Sequence, residues 1–407
     1  MTVLILFLAA TAMLAIALEE VIHLNKAKST LLLGCVSWMC LFIHANNTGD
    51  LIAINHALNE NLLDIATLWL FLMSTMTFVA YLNARGLISG LVLRVLPNST
   101  SLRSLTIFIT VFSLVLSMLC DNITATLVSI AVVQSFKLTT REKVRLCVLS
   151  VYAVNSGGVI LITGDVTTLM IFSNGHVSIS ELLTLIVPSL CGVFALMVMF
   201  LLHPNKAVEA DTKIQPIRKL DIAIAVLFFG TITATMGLSL FYSVPPVLTF
   251  LTGLSMLFML GGVANHFDSE IHLMEYIRKI QFDTLLFFLG ILLIVGALKE
   301  VGILTWLTKI YLSMNPNISS ALMGGLSSLL DNVPLTAALL KAEPILTTKQ
   351  WLSLVYAVGV GGSILVIGSA AGIVAMSKVK EITFFSYLRY APHLILAYLV
   401  GYGVTLL

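Results

Sequence analysis

The chain has 407 residues, of which 58% are hydrophobic and only 10% are charged, and its mean hydropathy is +1.03. Soluble domains average about 25% charged residues, so this composition excludes a soluble protein and leaves no room for a large soluble domain. The formal net charge of +2 gives no sign of a nucleic-acid partner. We therefore expect an all-α polytopic membrane protein that is surrounded by the lipid bilayer.

Apolar segments long enough to cross a bilayer follow one another along the chain. The first, residues 1–18, has no positive region before it, so we expect a retained helix with its N terminus outside. The other uninterrupted segments are 29–45, 65–82, 181–202, 221–242, 246–264 and 282–298. With Lys and Arg taken as markers of the inner side, residues 46–63 form an outer segment without Lys or Arg. The basic residues left outside by this path are Lys299, Lys309, Lys341 and Lys349.

Two further apolar stretches do not fit a simple crossing. Residues 104–136 have basic residues at both ends, so this stretch must enter the bilayer and turn back, with Asp121-Asn122 at its tip. Residues 317–344 form a second predicted re-entrant helical hairpin, with Asp331-Asn332 at its tip. Non-helical backbone at membrane depth is tolerated only where protein or a water-filled cavity satisfies its polar groups. Both tips are therefore expected to line a site.

The two halves of the chain resemble each other. The segment VYAVNSGGVILITGD (151–165) aligns without gaps with VYAVGVGGSILVIGS (355–369), and nine of the fifteen residues are identical. Upstream of the hairpins, 63–98 and 282–317 share a helix that begins after Asp64 or Asp283, then a Gly-led amphipathic piece that ends in Pro-Asn. Because the predicted path gives the halves opposite orientations, we expect two inverted repeats, each with a re-entrant hairpin and a broken transmembrane helix, plus scaffold helices.

The predicted organisation is N-terminal transmembrane helices over 1–62, a first repeat over 63–203, a cytoplasmic linker over 204–219 and a second repeat over 220–406. Inverted repeats with hairpins and interrupted helices are typical of secondary transporters, whose substrate site lies between the repeats near the middle of the membrane.

Three carboxylates are predicted at membrane depth: Asp121, Asp165 and Asp331. A charged side chain there costs at least about 2.5–3.5 kcal/mol, which favours a functional role, although an Asp can also cap a broken half-helix. Neutral oxygen-bearing residues surround these carboxylates in the sequence. They are Asn122, Thr124, Thr126, Asn155, Ser156, Thr163, Thr167, Thr168, Asn332, Thr336, Ser363 and Ser369. Oxygen ligands of this kind suit a small hard cation.

The carboxylates also predict the sign of the substrate, because a buried Asp attracts cations and repels anions. A proton and a cation that compete for the same carboxylate are sufficient for antiport. Without a GxxxxGK[ST] motif, pumping driven by ATP is disfavoured, and no cofactor is expected. Three alternatives remain: an anion carrier for dicarboxylate or arsenite, a channel, and an intramembrane enzyme. The enzyme is disfavoured because HExxH and GxSxG are absent.

Five blocks of the sequence resemble the NhaD family of sodium/proton antiporters, within the ion-transporter superfamily, over nearly the whole chain. They are EEVIHLNKAKSTLLLGCVSW (19–38), SMLCDNITATL (117–127), NSGGVILITGDVTT (155–168), LLDNVPLTAAL (329–339) and IGSAAG (367–372). The resemblance implies exchange of Na⁺, and also Li⁺, for H⁺, with Na⁺ at Asp121 and Asp165. It further implies a homodimer, an elevator-like motion of the hairpin domain and a location in a bacterial inner membrane.

The ion-site residues that the resemblance implies are Asp121, Asn122, Asn155, Asp165, Thr167, Thr168, Ser327, Asn332, Ser363 and Ser369. Ser327 is included only through the family block, because the residues alone suggest a packing role for it. Thr124, Ser156, Asp331, Thr336 and Asp64 are possible supporting residues. The family tends to have two acidic residues in the outer part of the third helix, whereas this chain has Asp64 and Thr67 there.

Overall fold

The computed structural model describes residues 1–17, 25–85, 99–202, 204–209, 219–267, 277–278, 280 and 282–407. Most of these residues are helical. The described strands form one short antiparallel ribbon, in which β1 (Ser99–Ser101) pairs with β2 (Ala207–Glu209). The predicted all-α fold class is therefore confirmed. The Gly-led piece predicted before Asn98 and most of the predicted linker, 210–218, lie outside the described residues.

The helices of the first half are α1 (Thr2–Ala17), α2 (Lys26–Thr48), α3 (Leu51–Ala84), α4 (Leu102–Leu119), α5 (Asn122–Gln134), α6 (Thr140–Gly158), α7 (Val166–Ser173), α8 (Ile179–Leu182), with a 3₁₀ turn at Leu183–Leu185, and α9 (Ile186–Leu201). Those of the second half are α10 (Lys219–Tyr242), α11 (Pro246–Phe267), α12 (Phe282–Glu300), α13 (Leu304–Leu312), α14 (Pro316–Leu330), α15 (Asn332–Ala342), α16 (Thr348–Gly361), α17 (Ala370–Lys378), α18 (Phe384–Leu388) and α19 (Ala391–Thr405).

Six helical stretches of the described chain have the length and apolar composition of membrane spans. They are Ala27–Thr48, Leu51–Leu82, Leu102–Leu119, Ile179–Leu201, Leu220–Ser239 and Phe282–Glu300. Apolar side chains such as Phe7, Phe194 and Phe241 remain exposed on the outside of the protein. A surface of this kind is stable only in contact with lipid, as expected for an integral membrane protein.

Residues 46–63, which were predicted to form an outer segment, are almost continuously helical. Only Gly49 and Asp50 interrupt the helices, and Gly49 ends α2 in the left-handed conformation (φ 87°). From Leu51 onward no Gly or Pro interrupts the pattern, so α3 begins beyond the apolar part and continues for 34 residues. The proposed boundary between residues 62 and 63 falls inside this helix.

Most of the described helices fall into two groups. The first, which we call the scaffold, contains α1, α2, α3, α10, α11 and α12. Hydrogen bonds from side chains to backbone join its long helices: Trp38 Nε1 donates to Leu293 O at 2.9 Å, and Trp69 Nε1 donates to Leu285 O at 2.6 Å. The second group, which we call the hairpin domain, contains α4 to α7, α9, α14 to α17 and α19. The main contacts between the groups join α12 of the scaffold to α15 of the hairpin domain.

The helix breaks lie at the predicted residues. Residues 120–121 separate α4 from α5, and Asp331 alone separates α14 from α15. The segments 159–165 and 362–369 interrupt the two broken helices, α6–α7 and α16–α17. The hairpin domain is therefore built around four interruptions of helical backbone.

Polar contacts outside the apolar segments close the ends of this domain. Lys143 Nζ, at the start of α6, lies 2.7 Å from Glu381 Oε1, in the turn that follows α17. This hydrogen bond holds the pKa of Glu381 below its usual value of 4.5. The pair joins two distant parts of the sequence at the Lys- and Arg-rich end of the helices.

Candidate functional site

The three carboxylates predicted at membrane depth line one cavity of about 360 Å³, which we call the first cavity. Asp121, Asp165 and Asp331 reach it from the two hairpin tips and from the break before α7. Its far wall belongs to the scaffold, with Leu72 and Met76 on α3 and Phe287 and Phe288 on α12. The cavity therefore lies between the two helix groups.

Asp165 connects the two halves of the chain. Its Oδ2 accepts hydrogen bonds from Asn122 Nδ2 and from Asn332 Nδ2, each at 2.9 Å. Its Oδ1 accepts from the backbone N–H of Thr167 at 3.0 Å, so the side chain caps α7. Because Asn122 and Asn332 follow the Asp of the two repeated Asp-Asn pairs, both hairpin tips converge on this carboxylate, which is 5% exposed.

Asp121 begins the second helix of the first hairpin. Its Oδ1 accepts from the backbone N–H of Thr124 at 3.0 Å, and its Oδ2 accepts from Thr124 Oγ1 at 2.8 Å. This is an N-cap of α5. A cap uses part of the acceptor capacity of a carboxylate, since two oxygens offer about four lone-pair sites. Capping and ion binding are therefore compatible at Asp121 and at Asp165.

Asp331 differs from the other two carboxylates. It precedes α15 without a side-chain capping hydrogen bond, and its backbone has φ 66° and ψ 145°. A residue with a Cβ rarely adopts this conformation, which costs on the order of 1–3 kcal/mol and is concentrated at functional sites. The buried Asp331 is held in this conformation beside the first cavity.

Close backbone approach brings these groups together. A Cβ at Gly158 would lie 2.5 Å from Asn122 Oδ1 and 3.2 Å from the Cβ of Asp165. Asn122 Oδ1 in turn accepts from Ser117 Oγ at 2.9 Å. Only glycine leaves room at position 158 for the hairpin tip to reach the broken helix.

Other predicted residues form a second layer around Asp165. Asn155 Nδ2 donates to Ser369 Oγ at 2.9 Å, and Asn155 Oδ1 accepts from Asn122 Nδ2 at 3.4 Å. Ser369 caps α17 through the N–H of Gly372. Thr168 Oγ1 donates to Gly158 O at 3.4 Å, and Thr167 is buried beside it. This network spans both broken helices.

The remaining predictions lie away from the cavity wall. Ser327 Oγ donates to Val358 O at 2.7 Å, which fits the packing role that the residues alone suggest, and Ser363 Oγ donates to Val360 O at 2.5 Å. Ser156 and Thr336 are buried, and neither lines the first cavity. Ser327 and Ser363 do not line the first cavity either.

Asp64 also lies elsewhere, in a larger cavity of about 730 Å³ that we call the second cavity. This cavity is lined by α3, α7, α12, α15 and the turn between α10 and α11. Asp64 Oδ2 there accepts from Lys341 Nζ at 2.6 Å. None of the three membrane-depth carboxylates lines the second cavity.

Both cavities are lined by α3 and α12. Along the sequence of α3 the second cavity comes before the first, and along the sequence of α12 the first comes before the second. On α3, Asp64 and Phe71 line the second cavity and Met76 lines the first. On α12, Asp283 lines the first cavity and Val295 lines the second.

Sequence reasoning missed several residues of the first cavity, among them Asn25 and Asp283. Asn25, the N-cap of α2, donates from Nδ2 to Asp283 Oδ2 at 2.9 Å. The sequence carried a signal for Asp283, which stands at the repeat position of Asp64. Asp165 is buried and Asp283 is exposed, and both line the first cavity. The cavity therefore extends from the buried carboxylate to the start of α12, shortly after Arg278.

Comparison with known proteins identifies related transporters. A family profile described as CitMHS, citrate transporter, matches residues 1–361. The Na⁺/H⁺ antiporter NhaD of Vibrio cholerae is 32% identical over 99% of this chain and 91% of its own length. NhaD of Vibrio parahaemolyticus is 30% identical over 92% of this chain and 98% of its own length. Sodium/proton antiporter 1 of Arabidopsis thaliana is 31% identical over 92% of this chain and 66% of its own length.

The first two relatives match in nearly their full lengths, and the profile covers most of the chain. The chain therefore belongs to the CitMHS transporter family and to the NhaD family of sodium/proton antiporters.

Proposed function

We propose that this chain exchanges Na⁺, and also Li⁺, for H⁺ across a membrane, and that the exchange takes place at the carboxylates of the first cavity. Na⁺/H⁺ exchange is supported by the names of the relatives. The site assignment is supported by one observation above all. Asp121, Asp165 and Asp331 face a single cavity, and no Lys, Arg or His of the described residues lines it.

The charge of that cavity also bears on the alternative substrate. The family profile carries the name of citrate, a tricarboxylate. Three carboxylates in a cavity of low dielectric repel such an anion strongly, and the described lining offers no positive side chain to offset them. The anion-carrier alternative is therefore not favoured.

The mechanism follows from competition between cations. Burial makes an unneutralised carboxylate costly, and either a proton or a metal cation removes that cost. Na⁺ is bound by the oxygens of Asp121 and Asp165, with neutral oxygens from their surroundings. Its arrival displaces a proton, and a proton later displaces Na⁺ on the other side. Apart from the O–H bond of the exchanged proton, the proposed cycle makes and breaks no covalent bond and uses no resident cofactor, as expected for a transporter rather than an enzyme.

Inverted repeats supply the alternation between sides. The swapped order of the cavities along α3 and α12 supports this proposal, because Asp64 and Asp283 occupy equivalent repeat positions at different cavities. In the present structure the carboxylates face the first cavity alone. Movement of the hairpin domain along the scaffold would bring them to the second. We further propose that the protein lies in a bacterial inner membrane and forms a homodimer, as the family implies.

The test is a transport assay with purified protein in liposomes that carry a pH gradient and an internal pH-sensitive dye. We expect Na⁺ and Li⁺ to collapse the gradient and choline to leave it unchanged. Citrate and succinate, added as choline salts, should also have no effect. Collapse by citrate together with inactivity of Na⁺ would contradict the proposed function.

A further inference from the structure

Among the described residues, two ion pairs join the second hairpin to the scaffold on the side of the second cavity. Lys341 Nζ, in the last turn of α15, lies 2.6 Å from Asp64 Oδ2 on α3. Two residues further along, Glu343 Oε1 lies 3.1 Å from Lys299 Nζ near the end of α12. Both contacts cross between the two helix groups, and both involve the end of the hairpin opposite its tip.

The backbone at this end of α15 is strained. Glu343 follows α15 in the left-handed conformation with φ 50°, which costs free energy for a residue with a Cβ. Glu343 has this conformation in the same structure in which its carboxylate contacts Lys299. A segment that combines strain with charged contacts is suited to have two stable arrangements.

The same segment separates the two cavities. Val333, near the tip of α15, lines the first cavity, whereas Ala337, Leu340 and Lys341 line the second. Buried Phe71 on α3 and Leu292 on α12 face the second cavity from the scaffold. For the carboxylates to face the second cavity, α15 must move along these apolar residues. Such a movement separates Lys341 from Asp64.

We propose that the Asp64–Lys341 pair, supported by Lys299–Glu343, is a latch that keeps the carboxylates facing the first cavity. The proposal rests on the alternating-access part of the proposed function. Asp64 is 54% exposed, so the pair contributes little to the stability of the fold. Even a small contribution shifts the equilibrium between two conformations of similar free energy, provided that the ion pair forms in only one of them.

The latch is tested by thiol accessibility, which does not depend on transport. Ala370, half-buried at the first cavity, is replaced by Cys after Cys35, Cys40, Cys120, Cys147 and Cys191 have been replaced by Ser or Ala. A membrane-impermeant methanethiosulfonate reagent is added to one side of oriented vesicles at a time. With the latch intact, we expect labelling from the side of Asn25 and Asp283.

In Lys341→Met, labelling from that side should fall about threefold to tenfold, and labelling from the opposite side should rise. Lys349→Met is the matched control. Lys349 Nζ bonds to Leu406 O within the hairpin domain, so loss of this lysine should change nothing. Thr67→Cys, exposed in the second cavity, should react from the opposite side in every variant, which verifies orientation and folding.

Charge reversal separates pairing from a general structural effect. Asp64→Lys alone should shift the labelling as Lys341→Met does, and Asp64→Lys combined with Lys341→Asp should restore the original pattern. Equal labelling of the Lys341→Met, Lys349→Met and parent proteins would overturn the latch, as would a double variant that behaves like Asp64→Lys alone. The labelling does not depend on which substrate is transported. A wrong cation assignment would therefore leave the expected labelling pattern unchanged, whereas a wrong latch would change it.

Discussion

At the scale of single residues, the buried carboxylates combine a structural and a functional role. Asp121 and Asp165 each cap a half-helix, and Asp165 also accepts both hairpin amides. A capping carboxylate keeps acceptor sites free, and freed backbone N–H groups reduce the cost of its charge. Interrupted helices therefore place negative charge at membrane depth at lower cost than a continuous helix would.

The two roles can be separated by substitution. Asn caps a helix about as well as Asp. An Asn at position 121 can also donate a hydrogen bond from its amide to Thr124 Oγ1, because the hydroxyl proton of Thr124 can rotate away. We therefore expect Asp121→Asn to change the free energy of unfolding by less than about 1 kcal/mol and to abolish exchange. Asp121→Ala should additionally cost about 0.5–2 kcal/mol.

Asp165→Asn should abolish exchange too, with a larger structural effect, because its amide would face two amide donors. Thermal unfolding of the purified variants and dye dequenching in vesicles measure the two effects. Wild-type exchange in either Asn variant would remove that residue from the site.

At the same scale, the sequence predicts some residues of the site and misses others for clear reasons. Asp165, Asn122 and Asn332 are polar residues within apolar segments, and the cost of such placement identifies them. Asp283 stands in the first turn of α12, where an acidic residue is ordinary. Its position at the cavity depends on how α2 and α12 pack together, through the contact of Asp283 with Asn25.

At the scale of secondary structure, the sequence predicts the helix breaks but not the start of α3 at Leu51. Charges at both ends of 104–136 and repeated Gly pairs indicated the interruptions at 120–121 and 159–165. Residues 46–63 were predicted to form an outer segment because they contain no Lys or Arg. Residues 51–63 nevertheless lie on a helix, which protrudes beyond the apolar part of α3.

The need for glycine at the end of α6, next to the first hairpin tip, is tested by Gly158→Ala. Its Cβ would lie 2.5 Å from Asn122 Oδ1, so we expect overpacking of about 1–3 kcal/mol and weaker Na⁺ affinity. Gly325→Ala in α14 is the matched control, since nothing lies within 4 Å of its added Cβ, and it should be neutral or stabilising. Thermal unfolding and the Na⁺ dependence of exchange provide the comparison. Equal behaviour of the two variants would contradict the close approach of hairpin tip and broken helix.

At the scale of the whole molecule, the three carboxylates line the first cavity and not the second. The repeats in the sequence predict two related halves that share a site. They do not predict which cavity the carboxylates face, because both arrangements use the same repeats. That choice depends on contacts between distant residues, such as Asp64 with Lys341, which are 277 positions apart.

The central claim is that a cation and a proton compete for the carboxylates of the first cavity. Proton release on addition of NaCl to purified protein in weakly buffered detergent solution tests it most directly. We predict proton release by the wild-type protein with Na⁺, none with choline, and none by Asp165→Asn. Binding of Na⁺, seen as a higher unfolding temperature, without proton release from the wild-type protein across the pH range would contradict the claim.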